Sequence, residues 1–277
     1  MKVLFGTGGT PVSSPKRDSI TGITTIKKLG LDCMELEFVQ GVKMKEEMAE
    51  RVKEHSRELG IVLTAHAPYF INLNSKDEEK LKASMDRIIE TARIGMLCGV
   101  KSITFHPGFM EKDPPSEVLK RIVKSIKKIE EEMEEKGIVM DIRPETTGKP
   151  SQFGSLLETL ELCAETGLLP CIDFAHLHAR EMGRYKNASE FAGILEKVAK
   201  ALGKDSLKNM HIHMSGIKYG KKGEIKHLNL KEADLNYEEI LKVLIDFGVE
   251  GVIISESPDL EGDAILMKNA YKKLGGK

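Results

Sequence analysis

Short apolar runs and longer amphipathic stretches alternate along the chain. The runs at Val3–Phe5, Cys33–Phe38, Ile61–His66, Ser102–His106, Ile138–Glu145, Leu169–Asp173, Met210–His213 and Val252–Glu256 read as eight strands. Between them, apolar residues recur every three or four positions at about 18–29, 44–59, 77–98, 116–136, 152–166, 187–202, 237–247 and 261–274, the spacing of one buried helix face. Gly30, Gly60, Gly99, Gly137, Gly167, Gly203 and Gly248 each follow a helical stretch and precede a strand, where a left-handed stop suits glycine. Eight βα units in 277 residues predict the α/β class and a (β/α)8 TIM barrel, one domain spanning 1–277. A doubly wound open sheet is the alternative, but no Gly-x-Gly-x-x-Gly follows the first strand. The glycine-rich Gly6–Thr10 lacks the Gly-Lys-Ser/Thr of a phosphate loop, so it reads as a backbone turn at the barrel mouth.

Charge changes this picture little. Lys and Arg number 42 against 43 Asp and Glu, so bulk charge announces no nucleic-acid partner and any anion contact must be local. The run Lys127–Lys136 (KKIEEEMEEK) is the solvated face of the fourth helix. Cys33, Cys98, Cys163 and Cys171 are widely spaced without a Cys-x-x-Cys pair, which predicts buried reduced thiols and a cytoplasmic protein. No apolar run approaches the roughly 18 residues of a membrane span.

The strand ends carry the chemistry. Leu169–Ala179 is an apolar run that ends in Asp173, with His176 three residues on. A carboxylate beside an imidazole at the end of a buried strand suits a cation, though an Asp capping the next helix explains the same pair. The ending recurs: Glu37, His66, His106, Glu145, Asp173, His211 and Glu256 close seven successive strands. In a barrel these side chains ring one mouth, where carboxylate repulsion calls for cations. Of the 8 histidines, His66, His106, His176, His211 and His227 fall at or just after strand ends. His178 and His213 are placed to support ligands, and His55 reads as a surface residue of the second helix.

The segments His66–Leu73 (HAPYFINL), Phe105–Gly108 (FHPG), Glu145–Gly148 (ETTG), Cys171–His176 (CIDFAH), Met210-His211 and Ser255–Pro258 (SESP) resemble the endonuclease IV family, the AP endonuclease family 2 of the xylose isomerase-like barrel superfamily. These are zinc-dependent DNA-repair nucleases that act at apurinic/apyrimidinic sites. The resemblance runs from the third strand to the eighth. It implies two or three zinc ions per chain: one on His66, His106 and Glu145, a second sharing Glu145 with Asp173, His211 and Glu256, and a third on His176 and His227. The family's aspartate two residues before that last histidine is Ile225 here, so Glu224 or His213 would substitute, or the third metal is weak or absent. Glu145 and Glu256 are then the catalytic carboxylates. A hydroxide shared by two zinc ions would attack phosphorus on the 5′ side of the abasic site. The partner would be double-stranded DNA and the protein a monomer. Tyr69 and Phe70 match the family's DNA-stacking positions, but the loop Val39–Lys43 lacks the expected arginine, leaving Lys43, Lys149, Lys218, Lys221 and Lys222 for local phosphate contacts.

A sugar isomerase or epimerase on the same barrel is the alternative. Glu145, Asp173, His211 and Glu256 would hold one divalent ion, with paired glutamates moving a proton. The additional His66, His106 and His176 favour the nuclease. A barrel that only binds a metal or a nucleic acid is a third reading.

Overall fold

In the computed structural model, which describes residues 2–276, eight parallel strands surround a filled interior. The barrel strands are Val3–Gly8, Cys33–Glu37, Val62–His66, Ser102–Phe105, Asp141–Pro144, Cys171–Asp173, Met210–Met214 and Gly251–Ser255. We number them first to eighth. Each neighbours the next in order, and the first pairs with the eighth, Val3 opposite Gly251 and Thr7 opposite Ser255. The ring closes between the fifth and sixth strands through a single parallel bridge, Glu145 opposite Cys171. This is the predicted (β/α)8 architecture.

The eight predicted helices are present, from Ser19–Lys28 to Glu261–Lys273. Gly60 and Gly99 stop two of them in left-handed backbone at φ 66° and 71°, whereas Gly203, at φ 84° and ψ 154°, is not in the left-handed helical region. Phe105, Phe153, Phe174 and Phe191 are among the largest fully buried side chains of the core. The Lys127–Lys136 run lies at the end of the helix Pro115–Glu135, whose buried face is Val118, Ile122, Ile126, Ile129 and Met133. All four cysteines are buried and free. Among the described residues no helix is long and apolar enough to cross a membrane.

Three features depart from the sequence expectation. A short helix, Phe174–Arg180, follows the sixth strand directly. An antiparallel hairpin, Gly216–Gly220 with Gly223–Leu228, rises after the seventh strand. A two-residue ribbon pairs Gly108–Phe109 with Gln152–Phe153. All three stand over the C-terminal ends of the barrel strands.

Inside the barrel, one part of the interior is apolar and another polar. Cys33, Val252 and Ile254, with Leu4 and Val62 against them, form a small cluster separate from the main core. Glu35, Thr64, Ser102, Arg143 and His211 are buried polar residues of the second, third, fourth, fifth and seventh strands. The first and second strands approach closely because Gly6 has no side chain: a Cβ there would stand 1.9 Å from the Cys33 carbonyl oxygen.

Candidate metal centre

Glu145 ends the fifth strand with 1 % of its surface exposed, and imidazoles gather round its carboxylate. His66 Nε2 lies 3.2 Å from Oε2 and His106 Nε2 3.4 Å from the same oxygen. Oε1 faces His176 Nδ1 at 3.1 Å and His213 Nδ1 at 3.4 Å. Glu256 Oε1 is 3.4 Å from His213 Nδ1 as well, and Asp173 Oδ2 is 3.4 Å from His176 Nδ1. Four elements far apart in sequence therefore present their donors to one carboxylate, as strand ends of a barrel must.

Backbone carbonyls fix where the ring protons sit. A carbonyl oxygen only accepts hydrogen bonds. His66 Nδ1, 2.6 Å from the Ala67 carbonyl oxygen, must therefore carry the proton that it donates, and in the neutral ring Nε2 is a bare lone pair pointing at a carboxylate. His176 Nδ1 likewise donates to the Thr146 carbonyl at 3.0 Å and His227 Nδ1 to the Glu256 carbonyl at 3.0 Å. Their Nε2 atoms then face each other at 3.3 Å, with Glu224 Oε2 3.8 Å from that of His176. Two lone pairs at that distance require a cation or an extra proton between them. Glu145 Oε1, Asp173 Oδ2 and His213 Nδ1 are also buried without a hydrogen-bond partner. Oxygen and imidazole nitrogen donors converging in this way fit a divalent ion such as zinc or manganese.

Without an ion, protons on the rings supply the positive charge instead. Burial alone would raise the Glu145 carboxyl, yet His106 and His213 hold it well below the usual carboxylate range. Burial works against the charged form of His66, but Glu145 outweighs it and pushes the ring up to about 10. Burial dominates at Glu256 and leaves its carboxyl raised despite His213 and His227. The site is built to carry positive charge among its carboxylates.

Donor groups that could hold an ion form overlapping sets: His66 with His106 and Glu145; Glu145 with Asp173, His176 and Glu256; His176 with Glu224 and His227; Glu35 with His213 and Glu256; and Cys171 with His211 and His213. The first three, at the mouth, bring together seven of the eight ligands expected from sequence. The eighth, His211, lies deeper: Nε2 is 2.9 Å from Glu35 Oε2 and Nδ1 is 3.2 Å from the Ser102 hydroxyl. His213, two residues on, takes the position beside Glu145 and Glu256. Residues 211 and 213 share a strand face, so sequence spacing could not choose between them. Of the two candidates to replace the missing aspartate, Glu224 stands beside His176 and His227, while the Ile225 side chain is 58 % exposed. Asp173 does both of the things read from sequence. Its Oδ1 caps the helix Phe174–Arg180 by accepting from the His176 amide at 2.6 Å, and its Oδ2 faces the site.

Glu35 went unnoticed in the sequence. It is fully buried, with Oε1 2.9 Å from His213 Nε2, Oε2 2.9 Å from His211 Nε2, and the Thr64 hydroxyl donating to Oε2 at 2.7 Å. The signal was available: Glu35 and Glu37 alternate with Met34 and Leu36, which places both carboxylates on the interior face. Glu37 lines the open cleft between the first two strand-end loops, together with Lys16, Arg17 and Lys43. His178 pairs with Asp234 at 3.1 Å outside the donor clusters, and His55 bonds the Thr24 hydroxyl at 2.8 Å.

Aromatic residues flank the mouth. The Tyr69 ring stands 5.4 Å from that of His66 and 6.1 Å from that of His106, yet Tyr69 is 54 % exposed. Phe70 is 68 % exposed beside it.

Comparison with known proteins places this arrangement. The profile of the xylose isomerase-like TIM barrel family (AP endonuclease 2) matches residues 23–272. An uncharacterized protein of Methanocaldococcus jannaschii is 46% identical over 98% of both chains. A probable endonuclease 4 of Mycoplasma pneumoniae is 25% identical over 71% of this chain and 68% of its own. Among solved structures, a D-tagatose 3-epimerase-like protein superposes with a TM-score of 0.72 at 20% identity, covering 99% of this chain and 97% of that one.

Proposed function

The chain belongs to the xylose isomerase-like TIM barrel family, and from that premise we propose that it is a zinc-dependent phosphodiesterase that cuts DNA 5′ to abasic sites in base-excision repair. The observation that carries this reading is the surplus of donors. Glu145, Asp173, His213 and Glu256 suffice for the single ion of a sugar isomerase or epimerase. Nothing in that chemistry calls for His66 and His106 on one side, or for the facing Nε2 atoms of His176 and His227 with Glu224 on the other. The similarity to a probable endonuclease 4 agrees with a nuclease, whereas the epimerase-like match speaks for the fold alone.

In this reading His66, His106 and Glu145 would hold one ion, Glu145 with Asp173, His213 and Glu256 a second, and His176, His227 and Glu224 a third. Bound divalent ions supply an activated water and neutralise charge on a phosphodiester. The chain's own residues do the rest. Glu145, with one oxygen toward each flank, fixes the spacing of the first two positions. Glu256, beside His213 and at the open side of the cluster, is placed to orient an attacking water. Tyr69 and Phe70 present rigid exposed rings beside the site, suited to fill the gap left by a missing base. An abasic nucleotide has little stacking to lose when it leaves the duplex, which lets a recessed mouth select it.

Two measurements test the reading. Elemental analysis of the purified protein should give two or three zinc ions per chain, and a duplex carrying one tetrahydrofuran residue should be nicked on its 5′ side. One ion per chain with ketose epimerisation and no nicking assigns the protein to the sugar enzymes instead.

A further inference from the structure

The opposite end of the barrel carries a second concentration of charge that the site above does not use. A cavity of about 180 Å³ opens at the N-terminal ends of the strands, and Lys2, Lys101, Arg143 and Lys208 line it with Thr64 and Ser102. Glu250 Oε1 lies 3.5 Å from the Lys208 ammonium, and Asp141 Oδ2 lies 3.4 Å from Arg143 Nη2. Two formal positive charges are left without an acidic partner among the described residues.

Arg143 is the decisive member. It is 2 % exposed, so its charge has been taken out of water. Nη1 donates to the Asn209 carbonyl at 2.7 Å, the Asp141 carboxylate is largely solvent-exposed, and Nε is buried without a partner. A buried guanidinium is stable when its donors are met by an anion in its plane, the pairing that makes arginine the preferred ligand of phosphate and carboxylate. Lys101 and Lys2 stand at the rim, where lysine ammonium groups add a focusing potential.

We propose that this floor cavity is a binding site for a small tetrahedral oxyanion, inorganic phosphate being the form to test, held by Arg143 and Lys101 with Lys2 and Lys208 around it. The volume admits one such ion with a water or two and excludes a nucleotide or a phosphorylated sugar. The site stands apart from the metal centre, and it does not depend on which reaction that centre performs. Ser102 joins the two ends: its hydroxyl lines the cavity and bonds His211, which faces Glu35 and through it His213.

The test is calorimetric titration of inorganic phosphate into the intact protein, before and after a chelator has removed bound metals, for the wild type and for Lys101→Glu. Lys101 is exposed, so its replacement leaves the core untouched. The expected result is one saturable phosphate per chain that survives chelation and is weakened about tenfold or more by the charge reversal. Tungstate soaked into crystals should give an anomalous peak beside Arg143. Binding that chelation abolishes, or that Lys101→Glu leaves unchanged, would assign the phosphate to the metal centre and overturn the floor site. So would the lack of saturable binding in the wild type.

Discussion

The Nε2 atoms of His176 and His227 face each other across 3.3 Å, each ring having committed its other nitrogen to a backbone carbonyl. His176 opens the short helix after the sixth strand, and His227 ends the hairpin after the seventh. The hairpin thus does more than connect, because it delivers an imidazole and Glu224 to a histidine from another loop. Replacing His227 with alanine removes one of these donors while the barrel's own ligands stay in place. Metal content should fall by one ion per chain, and nicking of an abasic duplex should drop with it. Unchanged content would show that the facing rings share only a proton.

Glu145 makes contacts in two directions, so Glu145→Gln should act on two ions together. Loss of the negative charge weakens both flanks, and elemental analysis should report at least two fewer ions per chain, with activity lost. Departure of one ion alone would place the carboxylate on a single metal.

Glu35 lies behind His213, with Oε1 2.9 Å from its Nε2, and shares a possible donor set with His213 and Glu256. A carboxylate behind a metal-binding imidazole fixes the ring and raises its basicity. Glu35→Gln keeps the shape and removes the charge. Metal affinity should fall by about 10- to 100-fold in competition with a chelator, with the circular dichroism spectrum of the wild type retained.

Tyr69 and Phe70 hold no metal in this arrangement. Alanine at either position should cost about 1–3 kcal/mol of binding to an abasic duplex, the worth of one stacked ring. Metal content should not move. Equal binding by both variants would show that the rings serve some other contact.

Gly6 tests the packing of the barrel wall and not the chemistry. A methyl group there would meet the Cys33 carbonyl and sulfur, at 1.9 and 2.6 Å, so the first two strands must spread. Gly6→Ala should destabilise the fold by about 2 kcal/mol or more, read as a lower urea midpoint.

Much of this architecture is legible in the sequence because barrels repeat one unit. Alternating apolar runs and amphipathic stretches, with glycine at each return, are enough to set eight strands in order. The donors at the mouth are equally visible wherever one polar residue ends an apolar run, as His66 and Glu145 do. Legibility fails where the local pattern is ambiguous. His211 and His213 share a strand face, and only the tertiary register shows that the second lies beside Glu145. Glu35 sits in mid-strand, where a charged residue is easily read as solvent-facing. The hairpin carrying Glu224 and His227 is polar and glycine-rich, so it reads as an irregular loop until its two strands are seen paired at Gly216–Leu228 and Gly220–Gly223.

The circular wall of the molecule is sewn by ladders of two to five residue pairs except at one seam, where Glu145 alone bridges to Cys171 and the Thr146 amide donates to the Cys171 carbonyl at 3.1 Å. The stitch that completes the ring is thus the same residue whose carboxylate gathers the imidazoles. Any ion gripped jointly by Glu145 and Asp173 would rivet the two free margins of the sheet together, so that losing the cargo and unzipping the cylinder become a single mechanical event.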